Sequence, residues 1–286
     1  MKINHVADIA GGQDGAIWNG YFFRFNSIGV CKVYKIDDSN IQKISVNYIS
    51  SFSLESAGNV IPHSNSVVFG NEYYNKDDKF PLLYCNVYNS YAKSENKLKG
   101  VCCVYRLQQN DDKFSAVLVQ LIEIGFVEDE TLWKSENTED LRPFGNFVID
   151  RENSVYYGFT MRDETKTTRY FSFNLPKISD GETDNEFNVK KVVLKKEDIK
   201  EYFDCDYHLF IQGVCFHKDK IYSLEGFSDH EQYPPAIRVI NTKTKQQELY
   251  KKFSELGTNI EPEMIDFYNG VCYYCDSNGH FYNIEF

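Results

Sequence analysis

The sequence predicts an all-β propeller with five blades of four antiparallel strands, closed into a ring by the N-terminal strand; six is the alternative blade count. Three observations predict it. One shape recurs five times: a small residue, a short apolar run, a turn, then a strongly aromatic strand. The apolar content is dominated by 21 Tyr and 22 Phe, side chains that suit a pleated, half-buried surface. The last repeat lacks a fourth strand, while a strand-like segment with no blade of its own, residues 2–9, stands before the first.

The first repeat reads Gly15-Ala-Ile-Trp-Asn-Gly-Tyr-Phe-Phe-Arg-Phe25. The second joins Ser66-Val-Val-Phe-Gly70 to Phe80-Pro-Leu-Leu-Tyr-Cys85, and the third joins Gly145-Asn-Phe-Val-Ile-Asp150 to Ser154-Val-Tyr-Tyr157. The fourth is Gly213-Val-Cys-Phe-His-Lys-Asp-Lys-Ile-Tyr222 and the fifth Met264-Ile-Asp-Phe-Tyr-Asn-Gly-Val-Cys-Tyr-Tyr274. These starts lie about 50, 79, 68 and 51 residues apart, a blade period plus insertions. Asn19-Gly20 and Asn269-Gly270 predict type I′ hairpins, whose two central residues both need positive φ. Third strands follow, as in Cys31-Lys-Val-Tyr-Lys-Ile36, Val104-Tyr-Arg-Leu107 and Ile237-Arg-Val-Ile240. Fourth strands are expected at 42–49, 115–124, 187–194 and 247–253. The fifth repeat ends after three strands, so residues 2–9 are expected to complete it and remove an exposed edge. One domain, 1–286, is the expected organisation, and a chain of this length buries enough surface to fold without disulfides or metal.

A net charge of −11 repels duplex DNA and anionic membranes, which excludes both as partners. The N-terminus lacks the apolar core of a signal peptide, and no run approaches the ~18 apolar residues of a membrane helix. A cytoplasmic monomer of bacterial type is expected, with its eight cysteines reduced. Cys272 and Cys275 form a CxxC spacing, but in a strand they point to opposite faces and make no metal or redox pair.

Five long excursions, 90–99, 127–142, 162–167, 195–211 and 226–235, belong to loop classes that share one face of a propeller. Long loops on a rigid scaffold carry function. Within them, 195–203 reads as a short helix lidding that face. Only 71–79 and 177–186 extend the opposite face. The residues entering each first strand are polar although the strands are apolar: Gln13 and Asp14, His63 and Asn65, Arg142 and Asn146, His208 and Gln212, and Glu261 and Glu263. They converge on an axial mouth. Oxygen ligands for a hard cation could come from Glu263, Asn65, Asn146 and Asp14. Acid–base work would draw on Glu263, Asp14 and Glu225, with His63 or His208 as an imidazole base. The same amides and Arg142 suit a polar small molecule with no catalysis. Phosphate loops, nucleophile elbows, zinc-protease motifs, Trp-Asp or kelch signatures and Asp-box turns are all absent.

At Gln212-Gly-Val-Cys-Phe-His-Lys-Asp-Lys-Ile-Tyr-Ser-Leu224 and at 261–274 the chain resembles propellers of the gluconolactonase and helveticin-J-like kinds. Across about two blades it shares their Gln-Gly and Glu-Pro-Glu phrases. The gluconolactonase resemblance implies an axial divalent cation on Glu263, Asn146 and Asn65. It departs from that pattern in having five blades rather than six, and Met264 where those families place Gly. Five-bladed glycoside hydrolases are similar in architecture alone. The reading is therefore a propeller binding a polar, carbohydrate-like small molecule at its mouth. The alternatives are a hydrolase or lactonase built on Glu263, Glu225 and His63, and a protein-interaction scaffold.

Overall fold

The computed structural model describes residues 1–38, 44–55, 64–86, 101–124, 147–162, 165–207 and 210–286. After β1 (Lys2–Asp8), blade one consists of β2 (Gly15–Trp18), β3 (Tyr21–Phe25), β4 (Val30–Asp37) and β5 (Ser45–Ser53). Blade two consists of β6 (Val67–Phe69), β7 (Leu83–Asn86), β8 (Val101–Asn110) and β9 (Lys113–Ile124). Blade three begins with β10 (Phe147–Asp150), β11 (Val155–Arg162) and β12 (Thr167–Asn174); β13 (Glu182–Asp184) and β14 (Val189–Leu194) intervene before its outer strand, β15 (Glu201–Asp206). Blade four is β16 (Ile211–His217), β17 (Lys220–Glu225), β18 (Ala236–Asn241) and β19 (Gln246–Lys252). Blade five is β20 (Pro262–Tyr268), β21 (Val271–Asp276), β22 (His280–Glu285) and, outermost, β1. The expected five-bladed closure is present: β1 pairs antiparallel with β22 from Lys2 opposite Glu285 to Asp8 opposite His280.

Two turns form as their sequences dictate. Asn19 and Gly20 have φ of 49° and 77°, and Asn269 and Gly270 have 50° and 79°. Two expectations fail, both in the stretch before blade four. A strand does form within 187–194, over Val189–Leu194, but β14 pairs in parallel with β9 and extends blade two; it is not the fourth strand of blade three. That place belongs to β15, which pairs with β12. The helix expected over 195–203 is only a 3-10 turn at Lys196–Asp198 leading into β15. The excursions 90–99 and 127–142 lie outside the described residues, as does part of 162–167.

The core is five wedges. Each apolar cluster lies between neighbouring blades, such as Phe23, Phe25, Phe69 and Phe80 between blades one and two. The others join blades two and three, four and five, three and four, and five and one. Aromatic strands supply this filling because a large ring spans the gap between twisted sheets.

The inner strands touch in a closed ring: β2 meets β6 and β20, β16 meets β10 and β20, and β10 meets β6. Gly213 lets β16 approach β20 closely: a Cβ there would lie 2.5 Å from the Glu263 carbonyl oxygen. Side chains bind neighbouring inner strands together. Asp14 Oδ2 accepts from Val67 N (2.9 Å), Asp266 Oδ2 from Ile17 N (2.8 Å), and Ser66 Oγ from Phe147 N (3.4 Å).

All eight cysteines are free thiols, buried except for half-buried Cys205. Cys272 and Cys275 point into different wedges, as expected of a strand. Burial pushes the Cys85 and Cys275 thiols up to about 12, so they stay protonated and unreactive at neutral pH. Adding reductant is therefore expected to leave the melting curve unchanged. A drop in melting temperature under reductant would contradict the thiol assignment.

Candidate functional site

The first strands deliver their polar leading residues to one end of the ring. Gln13 Nε2 donates to Glu263 Oε1 (3.1 Å), joining blade one to blade five. Asn65 Nδ2 donates to Gln212 Oε1 (3.1 Å), and Gln212 Nε2 donates to Glu261 Oε1 (2.6 Å). That chain crosses from blade two through blade four to blade five. The Ser64 carbonyl accepts from Asp14 N (2.8 Å), so the two chains adjoin. Asn65, Gln212 and Glu263 are nearly enclosed, with Glu263 only 2 % exposed.

Three acceptor oxygens here have no hydrogen-bond partner: Gln13 Oε1, Asn65 Oδ1 and Glu263 Oε2. Buried polar atoms left unpaired carry a desolvation cost, so three on linked leading residues of three blades call for hydrogen-bond partners. Behind them lies Arg24, a fully buried guanidinium whose Nη2 donates to the Gly12 and Asp276 carbonyls (2.8 and 2.9 Å). Its Nε and Nη1 have no partner.

Burial raises Glu263 well above the ordinary carboxylate range; Arg24 pulls it down and Glu261 pushes it up. Glu261, less enclosed, is raised by burial and held back by Gln212. The two carboxyls therefore differ in environment, which is how one site holds an acid beside a base. The folded protein keeps the Glu263 proton where the unfolded chain, titrating near 4.5, has released it. Stability thus declines as pH rises from that value toward the folded one. Glu263→Gln, which keeps the acceptor for Gln13, should melt like the parent near pH 4.5 and increasingly above it toward pH 8. A pH-independent difference in melting temperature would contradict the assignment.

The other expected residues divide in two. Asp14 is fully buried and both oxygens are engaged, Oδ1 by Gly15 N (2.7 Å) and Oδ2 by Val67 N. Both contacts hold the scaffold, the second joining blade one to blade two. Glu225 turns to Arg238, accepting from Nη2 (2.9 Å) and Nε (3.3 Å), while the guanidinium lies over Tyr250. Burial raises its pKa against that pairing. It lines a separate cavity of about 170 Å³ with Tyr207, Tyr233 and Arg238, so it does not join Glu263. His63, Arg142, Asn146 and His208 lie outside the described residues. Of the implied cation ligands, Glu263 and Asn65 each offer one unpartnered oxygen, and Asn146 lies outside the described residues. Among the described residues, no three His, Cys, Asp or Glu side chains gather to hold a metal ion.

Arg24 was not among the expected residues. Its signal was available: a lone charge within Tyr21-Phe-Phe-Arg-Phe25, on the strand face it shares with buried Phe22.

No family model matches the chain, and no curated protein matches it in sequence. The gluconolactonase and helveticin-J resemblance thus gains no support from sequence comparison. Among solved structures, a glutaminyl cyclase of Myxococcus xanthus aligns over 100% of this chain and 94% of its own, with TM-score 0.50 and 10% identity. The hydrazine synthase of Kuenenia stuttgartiensis aligns over 91% and 60% (TM-score 0.42, 9% identity). The Saccharomyces cerevisiae protein Sqt1 aligns over 93% and 69% (TM-score 0.39, 8% identity). At these identities the first likeness is one of fold, and the weaker two carry no argument. Among the described residues, no helix is long and apolar enough to cross a membrane.

Proposed function

We propose that the chain binds a hydroxyl-bearing, carbohydrate-like small molecule at the axial mouth. One observation carries this reading: buried Gln13, Asn65 and Glu263 oxygens without a partner, on leading residues of three blades that hydrogen bonds link to one another. Hydroxyl groups suit them because each can donate to an amide oxygen and accept from a protonated Glu263 Oε2. Rigid strands hold the oxygens in register, as a preorganised site requires.

A second reading is supported by the unequal environments of the two carboxyls. Glu263 would act as general acid and Glu261 as the ionised partner of a hydrolytic reaction. Cyclase activity is not carried over from the structural neighbour, because the likeness is one of fold.

The test is a thermal-shift screen with sugars, divalent cations and a glutaminyl cyclase assay run alongside. A ligand that binds only the folded chain raises its melting temperature. Sugars should do so, and Asn65→Ala and Gln13→Ala should each weaken the effective sugar about tenfold, the worth of one hydrogen bond to a buried partner. Stabilisation by cations alone, cyclase turnover without sugar binding, or sugar binding indifferent to both variants would overturn the reading.

A further inference from the structure

The geometry points to an aromatic wall beside the axis that makes the ligand a two-ring glycoside. Its sugar hydroxyls reach the axial oxygens, and its second ring lies on Phe210 and Phe227. This inference rests on the reading of the mouth as a sugar site.

Phe210 stands immediately before β16, 37 % exposed, with its ring 4.4 Å from that of Phe227 and 4.9 Å from that of Tyr233. Its backbone is left-handed, at φ 56°. A bulky residue in that region is strained, and persists only where its surroundings fix it. Here they do: Gly226 N donates to the Phe210 carbonyl (3.0 Å) and Phe227 N to the Tyr233 carbonyl (2.9 Å). Gly226 itself has φ 93°, and a Cβ there would lie 2.2 Å from the Pro234 carbonyl oxygen. Asn259 Nδ2 donates to Asp229 Oδ1 (2.6 Å) and Glu261 N to Ser228 Oγ (2.7 Å), tying the loop to the start of blade five. The rings are thus held in place before any ligand arrives.

The wall is joined to the mouth through Gln212. Its Nε2 reaches both Glu261 Oε1 and the Gly226 carbonyl oxygen (3.3 Å), and its Oε1 holds Asn65. A ring on Phe210 and Phe227 therefore sits one side chain away from a ring whose hydroxyls occupy the axis. An exposed Phe210 ring beside half-buried Phe227, next to polar side-chain oxygens, selects a ring that is apolar on its face and polar at its edge, as in a second sugar or an aryl aglycone.

The experiment titrates the protein with methyl glycosides of common hexoses and with the phenyl glycosides of the same sugars. For a hexose that binds, the phenyl compound should bind about tenfold tighter than the methyl one, on the scale of one aromatic contact. Phe210→Ala and Phe227→Ala should each remove most of that advantage, at a melting temperature close to the parent's. If either fails to fold, Phe227→Leu, which keeps bulk without the ring, is read in the same way. Methyl and phenyl glycosides binding equally, or an advantage that survives the variants, would overturn the wall and leave the mouth standing. Binding of neither series would overturn the mouth reading, and the wall with it.

Discussion

Removing residues 1–10 is expected to leave a protein that aggregates or melts far below the parent. The segment supplies the outer strand of blade five, and Met1, Ile3, Val6 and Ile9 pack half-buried against the adjoining wedges. At roughly 1 kcal/mol for each half-buried apolar side chain, the lost burial alone comes to about 4 kcal/mol. Ala10 N also loses its bond to the Tyr34 hydroxyl (3.0 Å), and Ile9 N its bond to the Gly279 carbonyl. The larger consequence is topological. Without β1, the His280–Glu285 strand presents an unpaired edge to other chains. Calorimetry with light scattering reads both effects, and a truncated protein that melts reversibly with the parent would refute the closure.

Arg24→Met should cost about 3–5 kcal/mol, because two backbone carbonyls lose a charged donor, at about 1.5–3 kcal/mol for each such hydrogen bond. In a chain of this size that lowers the melting temperature by roughly 6–10 °C. The guanidinium is the one fully buried cation among the described residues, and it ties β3 to the β1–β2 connection and to the end of β21 through two carbonyls. It is also the positive charge that holds down the pKa of both Glu263 and Asp14. Loss of stability should therefore grow as pH rises and those carboxyls are forced toward ionisation without it. Equal melting of variant and parent at pH 8 would contradict this role.

Much of the ring was legible in the sequence because a propeller repeats its signal. The Asn-Gly hairpins, the aromatic second strands and the missing fourth strand of the last repeat each have one physical reading. Residues 187–194 show what such reading cannot reach. Alternation identified a strand, but period two does not name the partner, and β14 chose the edge of blade two. The charged run Lys195-Lys-Glu-Asp looked helical, yet Tyr202 and Phe203 beyond it pair with β12 and carry the chain into a strand. At the site, sequence placed Gln13, Asn65, Gln212 and Glu263 together, because residues entering the first strands must meet at the axis. It could not say where side chains turn. Asp14 faces the backbone amides of Gly15 and Val67, and Glu225 faces Arg238, a partner thirteen residues away across a hairpin.

The axial oxygens of Gln13, Asn65 and Glu263 await the hydroxyl groups of a ligand. A crystal structure of the protein soaked with a glycoside that raises its melting temperature tests it most directly. The account predicts sugar density at the axis, with hydroxyls within hydrogen-bond distance of Gln13 Oε1, Asn65 Oδ1 and Glu263 Oε2. Sugar bound elsewhere, with the axis holding only water or a metal ion, would contradict it.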